Sequence, residues 1–209
     1  MATHKAELER LEQPGIRGWL HKPENVKSAM LLSHGAGGDS KAPLMVAVAK
    51  AFCDAGYLVL RWDLPFRQGG PRSAPGGSGQ RDRDGIVRAA QELRRLANGV
   101  PLYLAGQSYG GRQSSMVAAE DPGVADGLLL LSYPLHPPGK PAQLRTEHFT
   151  SLRTRVLFVH GTRDPFGTVE ELRAAIKLIP AAARLQVVEG AGHGVPPATA
   201  ASMPGWLSA

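Results

Sequence analysis

Leu102-Tyr103-Leu104-Ala105-Gly106-Gln107-Ser108-Tyr109-Gly110-Gly111 is the stretch whose reading decides the fold. A short apolar run behind Pro101 reads as a buried strand. It ends in Gly-x-Ser-x-Gly, and the small and polar residues from Arg112 to Glu120 read as a helix. A serine between a strand and a helix sits on a sharp turn that lifts its hydroxyl above the sheet edge, the arrangement known as a nucleophile elbow. Gly106 and Gly110 flank that turn, where strand and helix backbones approach so closely that a Cβ would clash.

Working outward, apolar runs alternate with helical periodicity. Ile16 to His21 reads as an edge strand, Ser28 to Ser33 as a strand that enters the glycine-rich loop His34 to Ser40, and Tyr57 to Trp62 as the next strand. Between them Leu44, Val48, Ala51 and Phe52 share one helical face of Pro43 to Asp54, which Gly56 closes. Residues 82–97 carry Ile86, Ala89, Ala90, Leu93 and Leu96 at helical spacing. Beyond the elbow, Gly127 to Tyr133, Arg155 to His160 and Arg184 to Val188 read as strands, and Val169 to Ile179 as a helix. Residues 1–14 read as a polar, partly frayed start, 65–80 as a long Gly/Pro-rich loop, 134–153 as a Pro-rich connection too short for a lid domain, and 195–209 as a tail with at most one short helix. Strands alternating with helices imply βαβ units. The expected fold class is α/β: one domain, a mostly parallel doubly wound sheet with helices on both faces and no cap domain.

A serine hydroxyl is a weak nucleophile and needs a base, a group that orients the base, and donors for the oxyanion. With an elbow, these follow the serine in the order Ser, Asp or Glu, His, on loops after later strands. Asp164 lies in His160-Gly-Thr-Arg-Asp-Pro165 and His193 in Gly190-Ala-Gly-His-Gly194, each just past a strand. Asp63 also follows a strand but precedes the serine, and Glu189 is the other acid in range. The expected roles are Ser108 as nucleophile, His193 as base and Asp164 as its orienting partner. Oxyanion donors are expected from the N–H of Tyr109, first in its helix, and of Ala36, with Gly37 as the alternative. His34 and His160 each precede a Gly at a strand end and read as structural, bonding nearby backbone.

Composition narrows the field. The 209 residues hold 43% hydrophobic and 20% charged residues, ordinary for a globular domain with a real core. The net charge is +6, and Arg61 to Arg95 holds eight Arg against four acids. That reads as a solvated basic surface or as attraction for anionic substrates. No aromatic interleaving accompanies it, so no nucleic-acid partner is expected. Cys53, the single cysteine, reads as helix packing and leaves no intrachain disulfide. The polar start has no apolar signal core and no segment reaches a membrane span, so a cytoplasmic protein without a membrane partner is expected. No metal and no cofactor are expected either. HExxH and Cys-rich spacings do not occur, and Gly35-Ala-Gly-Gly-Asp-Ser-Lys41 fails both phosphate-loop patterns because Ser40 stands where each needs Gly.

Over roughly residues 16–194 the chain resembles the α/β-hydrolase superfamily, carried by SHGAGG at 33–38, GQSYGG at 106–111, HGTRDP at 160–165 and GAGHG at 190–194. With RWDLPFR at 61–67, it is similar to a small lidless branch near dienelactone hydrolase that includes testis-expressed protein 30-like proteins. The resemblance implies a Ser108–His193–Asp164 triad, oxyanion N–H groups from Ala36 and Tyr109, and cleavage of a small-molecule carboxylic ester or thioester. Dienelactone hydrolases proper carry Cys as nucleophile where Ser108 stands here. A second reading keeps the scaffold without the chemistry, as a non-catalytic interaction protein; three reactive residues at the expected places argue against it. Oligomeric state is not legible.

Overall fold

The computed structural model describes residues 7–208. Eight strands form one sheet: β1 (Glu7–Gln13), β2 (Ile16–Lys22), β3 (Ser28–Ser33), β4 (Tyr57–Trp62), β5 (Leu102–Gln107), β6 (Gly127–Leu131), β7 (Val156–Gly161) and β8 (Ala183–Val188). Their order is β1-β2-β4-β3-β5-β6-β7-β8. β1, β2 and β4 pair antiparallel, and every pair from β4 through β3 to β8 is parallel. The chain leaves β3 toward β4 on one side, then crosses to β5 on the other. Loops leaving β3 and β5 therefore diverge, and that switch point opens a crevice at the carboxyl ends of the strands.

Helices cover both faces, which is why the strands read as unbroken apolar runs. α1 (Pro43–Asp54) and α6 (Met203–Ser208) pack on Met30, Leu32, Val59, Leu129 and Leu131. The single turn α2 (Pro65–Gln68), with α3 (Gln80–Leu96), α4 (Tyr109–Glu120) and α5 (Val169–Ile176), covers Leu31, Leu60, Leu104, Leu130 and Phe158. Leu128 to Leu131 on β6 alternate between the two cores and are all fully buried. Each such side chain contributes roughly 1.5–3 kcal/mol by leaving water. Cys53 is a buried residue of α1, in keeping with a packing role. Among the described residues, no helix is long and apolar enough to cross a membrane.

The start of the chain departs from expectation. Residues 7–13 are not frayed: β1 forms a hairpin with β2 through a turn at Gly15, whose φ is +79°. Of its side chains only Leu11 is buried. The pairing rests on backbone hydrogen bonds and on cross-strand pairs such as Lys22 with Glu9, so no apolar alternation betrays it. β2 is consequently the second strand rather than the edge. Residues 1–6, the rest of the expected frayed start, lie outside the described residues. The tail also holds more helix than expected, a 3₁₀ segment Pro197–Ser202 running into α6, because Ala200, Met203 and Leu207 bury against the α1 face. α4 begins at Tyr109, the residue expected first in its helix, and α5 ends at Ile176 rather than Ile179.

Two half-buried histidines tie the fold to pH. His21 Nε2 accepts from Arg61 Nε at 2.8 Å, and burial followed by the Arg61 charge pushes its pKa down to about 4. His148 bonds Ser115 Oγ at 2.8 Å and is pushed down to about 4 by burial and then by Arg112. The unfolded chain binds these protons near pH 6.5, so the stability from the neutral rings is complete above that value and is lost as pH falls toward 4. Urea unfolding followed from pH 7 to 5 is expected to show falling stability, with a shallower slope in His21→Gln and His148→Gln.

Candidate active site

The elbow is built by close backbone approach. Ser108 has φ +49° and ψ −115°, a conformation that non-glycine residues rarely adopt. It is pinned on both sides, Ser108 N–H donating to Leu131 O at 2.8 Å and its own carbonyl accepting from Arg112 N at 2.9 Å. A Cβ on Gly106 would lie 2.5 Å from Gly111 N, and one on Gly110 would lie 2.5 Å from His34 O. Both glycines therefore have the steric role expected of them, and the second contact seats the start of α4 against the end of β3.

Ser108 Oγ lies 2.8 Å from His193 Nε2, and His193 Nδ1 lies 2.9 and 3.0 Å from the two oxygens of Asp164. A carboxylate only accepts, so Nδ1 carries the proton and Nε2 is left to accept from the serine hydroxyl. The Asp164 side chain is fully buried and also accepts from Phe166 N at 2.9 Å. His193 is one-quarter exposed, at the mouth of the crevice. The loops that carry these two residues are pressed together: Arg163 N donates to Ala191 O at 2.8 Å, and a Cβ on Gly161 would lie 2.2 Å from Ala191 O. Phe166 stacks on the His193 ring at 3.9 Å between centroids. Ser108, Asp164 and His193 are thus brought together, and Ala36, Gly37 and Tyr109 line the same cavity of about 770 Å³.

A family model described as an alpha/beta hydrolase domain matches residues 26–203. The chain belongs to this α/β-hydrolase family. Solved structures share its fold over nearly the whole length. TT1662 from Thermus thermophilus is 24% identical, with a TM-score of 0.77 and coverage of 98% of this chain and 99% of that one. A dienelactone hydrolase from Anabaena variabilis is 19% identical, with a TM-score of 0.78 and coverage of 98% and 96%. XC6422 from Xanthomonas campestris, described as an α/β serine hydrolase without lid, is 17% identical, with a TM-score of 0.71 and coverage of 92% and 88%. At these identities the likeness concerns the fold.

In this α/β-hydrolase domain the remaining candidates have other partners. Asp63 accepts from Ser40 N and Arg17 Nε; burial alone would raise its carboxyl pKa, and these bonds hold it below the ordinary value. Glu189 is exposed and accepts from Thr162 Oγ1 at 3.4 Å. His34 donates from Nδ1 to Gly35 O and accepts from Leu64 N, and burial keeps its pKa low. His160 Nε2 donates to Gly167 O at 2.8 Å. Both histidines bond backbone, as their positions suggested.

The loop 65–80 contributes α2 and then a wall, with Pro75 to Gly79 lining the cavity. Arg67 is the residue whose role sequence reasoning missed. Its Nη2 donates to Ala36 O and its Nε to Gly38 O, both at 2.9 Å, and its Nη1 to Pro71 O, so one guanidinium ties the glycine-rich loop to the 65–80 loop. Only the spelling RWDLPFR hinted at it. The basic stretch resolves in the same way: Arg61 bonds His21 and Ser40 O, Arg83 bonds Ser78 O and Gln113, and Arg94 and Arg95 pair with Asp126 and Glu92. These arginines hold the structure together, while Arg72, Arg81 and Arg88 of the same stretch stand exposed.

Gly110→Ala tests the elbow. The added methyl meets fixed backbone and is expected to lower the unfolding free energy by about 1–3 kcal/mol, measured by urea denaturation against wild type.

Proposed function

We propose that this protein is a serine hydrolase that cleaves small-molecule carboxylic esters, and thioesters of similar size, through an acyl-enzyme on Ser108. The observation that carries the reading is the unbroken hydrogen-bond chain Ser108 Oγ–His193–Asp164 at the mouth of the 770 Å³ cavity.

In this reading Ser108 Oγ attacks the acyl carbonyl carbon while its proton passes to His193 Nε2. The imidazolium that forms is stabilised by the buried Asp164 carboxylate, which keeps its charge throughout. The carbonyl oxygen becomes an oxyanion between the N–H groups of Tyr109 and Ala36, with Gly37 N–H as the alternative to Ala36. Tyr109 is the first residue of α4, so its amide has no intrahelical acceptor and sits at the positive end of the helix dipole. Arg67 holds the Ala36 carbonyl and so restrains the loop that presents the other donor. Collapse breaks the ester bond, and the leaving alcohol takes the proton from Nε2. A water then repeats the sequence on the acyl-enzyme, with its proton going to His193 and then back to Ser108 Oγ. The open crevice without a cap domain supports substrates with small or medium acyl groups.

A fluorophosphonate probe is expected to label Ser108 in wild type and not in Ser108→Ala, read by peptide mapping. Absence of label on folded wild-type protein would overturn the esterase reading in favour of a non-catalytic interaction protein. Asp164→Asn is expected to lower kcat on a 4-nitrophenyl ester by about 10⁴-fold, because the base loses its tautomer and its charge partner.

A further inference from the structure

The catalytic cavity has a lopsided charge. Its lining includes two guanidinium groups, Arg112 and Arg145, and no carboxylate. Other arginines of the fold have acid partners: Arg17 pairs with Asp63, Arg83 with Glu120, Arg94 with Asp126 and Arg95 with Glu92. Among the described residues the Arg112 guanidinium makes no ion pair and no hydrogen bond, and its Nε is buried without an acceptor. Arg145 spends a single N–H on Pro134 O at 3.3 Å. Glu147, whose field reaches Arg145, is exposed and forms no ion pair with it. Burial, and then the neighbouring Arg112 charge, press the Arg145 pKa below its ordinary value. Two neighbouring cations at a partly buried wall, with N–H donors unspent, make a chemistry that suits an anion.

The two residues are held from opposite sides. Arg112 follows Ser108 by one turn of α4, its N–H bonding the Ser108 carbonyl, and helical side chains lean back toward the N-terminus. Arg145 is fixed through its backbone, its N–H donating to Leu135 O at 2.8 Å and its carbonyl accepting from the buried Tyr133 hydroxyl at 2.7 Å. We propose that Arg112 and Arg145 form an anion-binding subsite of the catalytic cavity, and that the ester this protein cleaves carries a carboxylate on a short spacer from the reacting carbonyl. A planar carboxylate suits the fork of a guanidinium, which can donate two parallel bonds to it. The spacer is short because one helical turn rises only about 6 Å between Ser108 and Arg112. The proposal rests on the esterase reading for its chemistry, but its binding element stands separately.

The test compares 4-nitrophenyl hydrogen adipate with its methyl-capped neutral counterpart, at low salt and corrected for spontaneous hydrolysis. Wild type is expected to favour the anionic ester in kcat/KM by about tenfold or more, the scale of a charge-assisted hydrogen bond. That ratio is expected to fall toward one in Arg112→Gln and in Arg145→Gln, whatever either substitution does to the basal rate. Circular dichroism checks folding; if Arg112→Gln misfolds, Arg145→Gln decides. Turnover of both esters with no anionic preference overturns the subsite and leaves the esterase standing. If neither ester is cleaved and Ser108 takes no fluorophosphonate, the esterase reading falls. Calorimetric titration with adipate then decides the subsite: binding that Arg145→Gln weakens at least tenfold supports it, and no binding at millimolar adipate overturns it.

Discussion

The contact between Gly110 and the end of β3 is the constraint on which the rest of this structure depends. With no Cβ at Gly106 or Gly110, the turn after β5 settles against the backbone of His34 and Ser33, and Ser108 is forced to a positive φ. The strain is local and is opposed by bonds to Leu131 O and from Arg112 N. It also has a direction: it aims the serine hydroxyl into the crevice where β3 and β5 diverge. A larger residue at either glycine would separate strand from helix, and with them the glycine-rich loop from the serine it faces.

A second close approach completes the geometry. Gly161 at the end of β7 sits under the carbonyl of Ala191, so the loops after β7 and β8 meet. That contact brings a fully buried carboxylate to a histidine that is partly exposed. Burial of Asp164 strengthens its hold on the imidazole, since few waters compete, while Phe166 covers the ring face and its amide satisfies one carboxylate oxygen. Arg67 gives a comparable restraint on the other side of the crevice, where residues 35–38 carry no polar side chain of their own to order them. For the proposed esterase, such rigid supports are what preorganised catalysis requires.

The cavity wall divides into parts of different origin. Its floor is the elbow, legible as a motif. Its sides are the 65–80 and 134–153 loops, which carry no periodicity and were legible only as long connections. Arg145 reaches the cavity from the second of these, thirty-seven positions beyond Ser108, held by Tyr133 and Leu135. The basic run from Arg61 to Arg95 stands out as charge, yet five of its eight arginines (Arg61, Arg67, Arg83, Arg94 and Arg95) bond carbonyls, side chains and acids of the fold. The two cations that face the cavity lie outside that run, because exposure and pairing are properties of the folded neighbourhood rather than of local composition.

The sequence by itself determined the alternation of strand and helix, the parallel doubly wound class and the choice of Ser108, Asp164 and His193 as residues that meet, because each rests on local signals: apolar runs long enough for buried strands, glycines where backbones must touch, and a fixed order of polar residues past the strand ends. Tertiary structure alone decided the β1–β2 hairpin, whose pairing is made by backbone bonds with one buried side chain. It also decided the stacking of Phe166, the clamp of Arg67 and the meeting of Arg112 with Arg145. In each of these the partners lie far apart in the chain, and nothing in the spacing of residues encodes which side chains finish unpaired at the wall of a cavity.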